Sequence, residues 1–398
     1  MRILICNVGS TSLKYRLFEM DGGEQALALG KMERVGAPMG RFTFESGDVN
    51  GDVELPLPDY ACAITRMLDT LRETGALPSP SELACVGFKV VHGGPVSGVR
   101  ELGENVLTEM AKWNAVAPAH NPPYIAAIRQ FRALLPDTPL IGSFETGFHQ
   151  TLPKKAYLYS LPRALCESDG IRRYGFHGAS LEYVSERVAA LAGTKDIKLV
   201  ACHLGGSGSV CAVVNGASVD TNLGFSLQCG LPHNNRAGDI DPYILVYLMK
   251  EKGYTLADVE RLLSRESGLL GMSGVSNDLR DVERAAREGN VWAQDAFDAY
   301  CYQLKKQIGA YAAAMGGLDA IAFSGGIGEN SASVRRESLA GLQFLGVSLD
   351  EQKNEACRCD AELSDGTGRV KIYVVATDEE RIVARKAAAF LRDEAARG

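Results

Sequence analysis

The chain has 398 residues, of which 46% are hydrophobic and 23% are charged, and its formal net charge is −7. The length favours two domains, and the composition is ordinary for a globular protein. Because nucleic acids and anionic membranes need a basic face, the charge argues against both as main partners. An anionic substrate would therefore need a locally basic cleft.

The apolar runs and the cysteines predict a cytoplasmic protein. No stretch of the sequence approaches the ~20 apolar residues of a membrane span, and Ile3–Cys6 is too short for the core of a signal peptide. The ten cysteines are scattered, mostly within apolar strands, which favours buried, reduced thiols. Cys357 and Cys359 form one close pair, for which a metal or redox role is the alternative.

The predicted elements of the first half begin with a strand, a Gly/Ser-rich turn and a second strand over Ile3–Phe18. Weak alternation and frequent glycines predict further antiparallel strands over residues 19–58. A helix at Ala61–Thr74 and a strand at Cys85–Val91 come next. A second helix begins at Asn121, which should cap it, and a strand follows at Leu140–Phe144.

The second half begins with a helix at Leu181–Leu191 and a hairpin at Leu199–Val214. Four further helices are predicted at Pro242–Lys250, Leu256–Ser264, from Asp278 to Arg287 and at Trp292–Met315. Buried strands follow at Ala320–Phe323 and Val370–Ala376. The last helix should begin at Thr377, which has capping-box spacing to Glu380.

The two hairpins share one pattern. Cys6-Asn7-Val8-Gly9 aligns with Cys202-His203-Leu204-Gly205 without a gap. This predicts two similar half-domains that face one ligand, with turn N–H groups able to hold phosphate oxygens. Two unrelated hairpins are the alternative, since glycine turns are common between strands. We expect an N-terminal lobe, 1–150, joined by the C-terminal helix 380–398, and a C-terminal lobe, 151–379.

Polar side chains at the ends of predicted strands point to phosphoryl transfer. That reaction needs glycine loops around phosphates, cations on the phosphoryl oxygens and carboxylates that hold Mg²⁺. The glycine turns, Lys89, Arg236, Glu145 and Glu379 supply these groups. The sequence contains no G-x-x-x-x-G-K-[ST] motif, which excludes a P-loop enzyme.

Motifs from the first hairpin to the last helix resemble the acetate kinase family (acetate/propionate kinases) of the sugar kinase, chaperone and actin superfamily. They include NVGSTSLK, VVHGG, APAHNP, FETGFHQTLP, YGFHGAS, HLGG, RAGDIDP, ESGLLGMSG, NDLR, SGGIGENS and TDEE. The resemblance implies an α/β, duplicated ribonuclease-H-like (actin-like ATPase) fold with two lobes around a central cleft. It also implies direct phosphoryl transfer between ATP and acetate or propionate, giving acyl phosphate and ADP, with Mg²⁺ or Mn²⁺, and a homodimer.

The resemblance also assigns roles to residues. Catalysis would rest on Arg236, His177, Glu145 and Lys89. Nucleotide and donor phosphates would contact His203, Gly205, Gly206, Asp278, Arg280, Gly326, Gly328 and Asn330. The carboxylate would lie among Lys89, Val91, Ala119, Phe176 and Leu227, and the metal would be held by Asn7 and Glu379. The alternatives are an ion pair of Arg236 with Asp239 or Asp241, and a role for Glu379 in the helix dipole alone.

Several positions depart from the family pattern. The family has Arg at Lys89 and Asp at Glu145, and either change alters the reach of a charged group. The second glycine loop reads HLGGSGS in place of HLGNGAS, and LPHNN replaces a small and methionine-rich segment before Arg236. Ala119 replaces Leu and Leu227 replaces Pro, which leaves acetate or propionate open as the preferred acid.

These departures keep two other functions open. Pyrophosphate or phosphate could replace ATP as the donor, although the retained GGIGEN and NDLR motifs favour a nucleotide. A catalytically weakened homologue that binds nucleotide or acyl phosphate is the second alternative.

Overall fold

The computed structural model describes residues 1–358 and 360–397. Cys359, the second member of the close cysteine pair, lies outside the described residues. The contacts divide the chain into two compact units. The first contains residues 1–147 and the chain from 378 onward, and the second contains Phe148–Thr377.

The first unit contains eight strands that form one sheet. They are β1 (Arg2–Val8), β2 (Ser12–Glu19), β3 (Gln25–Glu33), β4 (Ala37–Ser46), β5 (Val49–Leu57), β6 (Leu83–Val90), β7 (Val99–Glu101) and β8 (Leu140–Phe144). Their order is β5-β4-β3-β2-β1-β6-β8-β7. Strands β1, β6 and β8 are parallel, whereas β1 to β5 form an antiparallel meander.

Helices cover both faces of the parallel part of this sheet. They are α1 (Tyr60–Glu73), α2 (Glu104–Ala111), α3 (Asn121–Leu134) and the last helix in chain order, α15 (Glu379–Arg397). Phe88 of β6 packs edge-on against Phe131 of α3. Gly87 faces α15. A Cβ added to Gly87 would lie 2.5 Å from Ile5 of β1 and 3.5 Å from Val383 of α15. The missing side chain therefore lets α15 pack closely on the sheet.

The second unit has its own sheet. Its strands are β9 (Lys198–Leu204), β10 (Gly208–Val214), β11 (Ala217–Thr221), β12 (Ala320–Ser324), β13 (Ala361–Glu362) and β14 (Lys371–Val374). Their order is β11-β10-β9-β12-β14-β13, with β9, β12 and β14 parallel. The series β10-β9-β12-β14 repeats β2-β1-β6-β8, an antiparallel hairpin that continues into parallel strands. The predicted α/β fold with a duplicated sheet is confirmed.

Eleven helices of the described chain belong to the second unit. They are α4 (Lys154–Tyr157), α5 (Arg163–Ser168), α6 (Gly178–Ala192), α7 (Tyr243–Glu251), α8 (Leu256–Arg261), α9 (Gly268–Ser273), α10 (Leu279–Arg287), α11 (Val291–Ala314), α12 (Gly325–Asn330), α13 (Ala332–Leu339) and α14 (Glu351–Ala356). The long helix α11 packs against β9 and β10 and buries Tyr300, Leu304 and Ile308.

Three predicted helix ends are wrong. His120 rather than Asn121 occupies the N-cap position of α3, and the buried Asn121 amide donates to the carbonyls of His92 and Met110 at 2.9 and 3.0 Å. The last helix begins at Glu379, where Asp378 accepts from the Arg381 N–H at 3.2 Å. The helix predicted over Leu256–Ser264 ends at Arg261 and continues as a π-helical turn.

The cysteines agree with the prediction of buried, reduced thiols. Each of the nine cysteines among the described residues is a free thiol, and most are buried. In the part of the chain that the structure describes, none of the helices combines the length and the apolar character that crossing a membrane requires.

Candidate active site

Three predicted site residues lie at the carboxyl ends of neighbouring parallel strands in the first unit. Asn7 is near the end of β1, Lys89 is near the end of β6, and Glu145 follows β8 directly. The Glu145 N–H donates to the Val90 carbonyl at 2.7 Å, which fixes the start of that loop against β6. Parallel strands bring these side chains to one edge of the sheet, the usual position of a site in such sheets.

Lys89 forms an ion pair with Glu379, the first residue of α15. Their side chains are only 18% and 16% exposed. Burial by itself lowers the pKa of Lys89, but the charges of Glu379 and Glu145 outweigh it and hold that pKa above its usual value. The lysine therefore stays charged between two carboxylates. Glu379 thus has a specific partner in addition to its place at a helix N-terminus.

Tyr124, which was not among the predicted site residues, is also part of this group. Its hydroxyl donates to Asn7 Oδ1 at 2.7 Å and accepts from the Val8 N–H at 3.0 Å. Burial raises the pKa of the Tyr124 phenol, so it remains a donor at neutral pH. Helical spacing could have indicated it, since Tyr124 lies four residues before the buried Ile128 on α3.

Asn7 and Glu379 are the predicted metal ligands. Across residues 1–358 and 360–397, no group of three or more His, Cys, Asp or Glu side chains is arranged to hold a metal ion. Asn7 and Glu379 nevertheless offer the oxygen atoms that Mg²⁺ prefers, and Glu145 adds a second carboxylate. Mg²⁺ commonly binds one or two carboxylates and completes its shell with water and substrate phosphates. This donor set therefore fits Mg²⁺.

The residues predicted to line the carboxylate pocket are divided between the two units. In the first unit, Val91 follows β6 and is half-buried, and Ala119 is exposed just before α3. In the second unit, Phe176 is fully buried and Leu227 is 8% exposed.

Two imidazoles stack in the second unit. The rings of His177 and His203 have centroids 4.5 Å apart and an interplanar angle of 27°. A hydrogen bond of 2.7 Å joins His177 Nδ1 to Ser209, and another of 2.7 Å joins His203 Nδ1 to Ser180. Thr377, predicted as a helix cap, instead donates to the Ser180 hydroxyl at 2.8 Å. The serines fix the orientation of both rings.

His149 fixes the segment that carries His177 through hydrogen bonds. His177 occupies the N-cap position of α6 with φ of 56°, a left-handed conformation that is uncommon for residues other than glycine. His149 is buried and bonds to Ser218 at 2.8 Å and to the Phe176 carbonyl at 3.0 Å. Gly175 leaves room for it, since a Cβ there would lie 2.4 Å from the His149 ring.

Arg236 is not an ion-pair partner of the nearby aspartates. Asp239 accepts from the Gly230 N–H and Asp241 from the Tyr243 N–H, and among the described residues no carboxylate forms an ion pair with Arg236. Burial lowers the pKa of Arg236 to about 10. A half-buried guanidinium without a counter-ion favours an anionic ligand.

A cavity of about 400 Å³ brings together most of the residues predicted to bind nucleotide. It is lined by Gly205, Gly206, Asn234, Asp278, Leu279, Arg280, Glu283, Gly326, Ile327, Asn330 and Ser331. Asp278 caps α10 and pairs with Arg280 at 2.5 Å, and these bonds from Arg280 lower the pKa of Asp278 to about 2. His203 and Gly328 do not line this cavity.

Gly328 instead packs against β12. A Cβ there would lie 3.3 Å from the backbone of Phe323. Its carbonyl accepts from Arg335 at 2.8 Å, and the Arg335 guanidinium also donates to the Glu329 carbonyl and to two oxygens of Asn354. The fully buried Arg335 thereby fixes the end of α12, of which Gly326, Ile327 and Asn330 line the cavity.

Replacing Arg335 with methionine should therefore lower the free energy of unfolding by about 3–5 kcal/mol, because several buried acceptors lose their donor. Urea denaturation followed by circular dichroism measures this loss. Arg336→Met is the matched control; its exposed ion pair with Glu355 should contribute less than about 1 kcal/mol. Equal losses in the two variants would contradict the role given to Arg335.

Comparisons with known proteins agree with this architecture. The model of a family described as the Acetokinase family matches residues 2–385. Acetate kinase of Clostridium botulinum (strain Hall) is 44% identical over 393 residues, which cover 97% of this chain and 98% of that protein.

Solved structures give the same result. The crystal structure of Porphyromonas gingivalis acetate kinase is 36% identical, with a TM-score of 0.89 and coverage of 98% of this chain and 99% of that one. A propionate kinase from Francisella tularensis is 32% identical, with a TM-score of 0.90 and coverage of 97% and 98%. This chain therefore belongs to the acetate kinase family, phosphotransferases whose acceptor is a carboxyl group.

Proposed function

We propose that this protein transfers a phosphoryl group reversibly between ATP and acetate or propionate, giving acyl phosphate and ADP. The observation that carries the proposal is the half-buried Arg236 guanidinium, which no carboxylate neutralises within the described residues. Phosphoryl transfer needs such a cation on the oxygens of the moving group. The similarity to acetate and propionate kinases supports the same reaction.

The second unit would bind the nucleotide and stabilise the charge of the transferring group. The cavity near Asp278, Gly326 and Asn330 has the size and polarity for a nucleoside. His177 would donate a hydrogen bond to the phosphoryl oxygens, and its position before the N-terminus of α6 favours anions. His203 would hold His177 in place by stacking and contact the donor phosphates.

The first unit would hold the metal and attract the carboxylate substrate. Asn7, Glu379 and Glu145 would hold Mg²⁺, which when bound neutralises charge on the phosphate oxygens. Lys89 would keep Glu379 and Glu145 oriented through its charge and would attract the carboxylate substrate. Tyr124 would orient the Asn7 amide by donating to its oxygen.

A coupled assay tests the proposal. Acetyl phosphate, propionyl phosphate and butyryl phosphate are each supplied with ADP and Mg²⁺, and ATP formation is measured. We expect turnover with acetyl or propionyl phosphate, and the ratio of kcat/KM values identifies the preferred acid. ADP binding without ATP formation from any of the three would overturn the proposal.

Helix α7 supports a homodimer. Its sequence YILVYLMKE contains seven apolar or aromatic residues, yet none of these nine residues, all within the described chain, is buried. Exposed apolar surface of this extent marks an interface. We infer that α7 packs against a second copy of this chain.

Replacing Tyr247 with glutamate should therefore convert the dimer into a monomer, because each of the two copies would bury a glutamate charge in the interface. Sedimentation velocity measures the change. Glu251→Gln, on the same helix, should leave the dimer intact. A wild-type monomer at micromolar concentration would contradict the inference.

The free thiols also support a cytoplasmic location. Six of the nine described cysteines are buried, and reduced cysteines are typical of cytosolic proteins.

A further inference from the structure

One amide in the nucleotide cavity has unused hydrogen-bonding groups. Asp278 is paired with Arg280, and the Asn330 amide donates to the Gly326 carbonyl at 2.9 Å. Asn234 differs from these lining residues. Across residues 1–358 and 360–397 its half-buried side chain makes no hydrogen bond with the protein. Because Asn234 lines the cavity and has no hydrogen-bond partner within the described protein, its amide groups are available to a ligand there.

The Asn234 amide lies over the second glycine turn. A Cβ added to Gly206 would be 3.1 Å from Asn234 Nδ2. The Asn234 N–H donates to the Gly206 carbonyl at 3.1 Å, so the two segments are also joined through their backbones. Gly206 therefore leaves space that the asparagine side chain occupies. The turn and the amide form one wall of the cavity.

His233 fixes this wall. Its Nδ1 accepts from the Gly208 N–H at 3.1 Å, and its Nε2 bonds to the Cys229 carbonyl at 3.1 Å. The ring is 1% exposed, and burial lowers the pKa of His233 to about 3. The imidazole is thus neutral near pH 7, which leaves Nδ1 free to accept and Nε2 able to donate.

The backbone around Asn234 is also held by α9. The Leu269 N–H donates to the His233 carbonyl at 2.8 Å, and the Leu270 N–H donates to the Asn234 carbonyl at 2.9 Å. Gly268 permits this approach, since a Cβ there would lie 2.1 Å from the His233 carbonyl. The backbone of Asn234 therefore has a fixed position two residues before Arg236, which keeps its side chain at the cavity.

We propose that Asn234 helps to bind the phosphoryl donor by donating a hydrogen bond from its amide to a phosphate oxygen of a nucleoside diphosphate or triphosphate. The inference rests on the proposed function. It joins two features of this chain: Gly206 has no side chain in the second glycine turn, and LPHNN supplies an amide over that position. A neutral amide donor beside this glycine turn suits an anionic polyphosphate.

Calorimetric titration of Asn234→Asp and Asn234→Ala with ADP and with adenosine tests the proposal. Asn234→Asp has the same shape but replaces the donor with a carboxylate, so we expect ADP to bind at least about tenfold more weakly. Asn234→Ala should weaken ADP binding by about threefold to tenfold, since only one hydrogen bond is lost. Adenosine affinity should change by less than about twofold in both variants, because adenosine has no phosphate.

Asn235→Asp is the matched control, because it adds the same charge one residue away and Asn235 does not line the cavity. It should leave the ratio of ADP to adenosine affinity unchanged. Equal weakening of ADP and adenosine in Asn234→Asp, or unchanged ADP binding, would overturn the inference. The two proposals fail separately: wild-type protein that binds ADP through Asn234 but forms no ATP contradicts only the proposed function.

Discussion

Replacing Arg236 with alanine should lower kcat at least about a thousandfold, the order of magnitude that a transition-state arginine contributes to phosphoryl transfer. The Kd for ADP should change by less than about threefold, because the charge at Arg236 matters most as the phosphoryl group moves. Half-burial strengthens the expected effect, since a guanidinium shielded from water interacts more strongly with an anion. Steady-state kinetics and calorimetric titration with ADP provide the two measurements.

Arg236→Lys separates charge from geometry at this position. Lysine keeps the positive charge but loses the planar donors, so kcat should fall by an intermediate factor. A circular dichroism spectrum identical to wild type excludes unfolding as the cause. Losses of similar size in ADP affinity and in kcat would mean that Arg236 binds the nucleotide rather than the transferring group.

Replacing Glu379 with glutamine should lower kcat by about a hundredfold and raise the Mg²⁺ concentration for half-maximal rate at least about tenfold. The variant keeps the size of the side chain but removes a metal-ligating charge. Without the charge of Glu379, Glu145 is the remaining carboxylate that raises the pKa of Lys89. Rates measured over a Mg²⁺ titration give both quantities.

Glu380→Gln is the control for this variant. Glu380 also lies in the first turn of α15, so either substitution removes one acidic side chain from the positive end of that helix. If Glu379 acted only on the helix dipole, the two variants would behave alike. We expect Glu380→Gln to keep the wild-type Mg²⁺ dependence, and the same shift in both would refute a metal role for Glu379.

Prediction succeeded where the signal is local. The hairpin pattern correctly predicted β1–β2 and β9–β10, because alternating apolar residues and glycine turns depend on neighbours in sequence. The same alignment matched Asn7 to His203, and both residues lie near the ends of equivalent strands.

Predicted helix caps were wrong where the side chain forms a hydrogen bond to a residue distant in the chain instead. Asn121 and Thr377 both have the residue type of a helix cap, yet their side chains bond to His92, Met110 and Ser180. A cap contributes only about 1 kcal/mol, so a buried hydrogen bond of similar value can replace it.

The hydrogen-bond partners of the site residues could not be predicted from the sequence. Ser209 is 32 positions from His177 in the chain, and the hydroxyl that reaches the ring depends on how β10 lies beside α6. Tyr124 reaches Asn7 from 117 positions away. Serine and tyrosine are common residues, and neither carries a motif that identifies its partner.

The strands of both hairpins, the family motifs and the residue types that phosphoryl transfer requires could be predicted from the sequence, because they depend on neighbouring residues and their order. The order of strands in the sheets and the contacts between charged groups came from the folded structure: Lys89 pairs with Glu379, the His177 ring stacks on His203, and Arg236 has no acid partner within the described residues. An ion pair or hydrogen bond forms only within about 3–4 Å, and the packing of remote segments sets that distance.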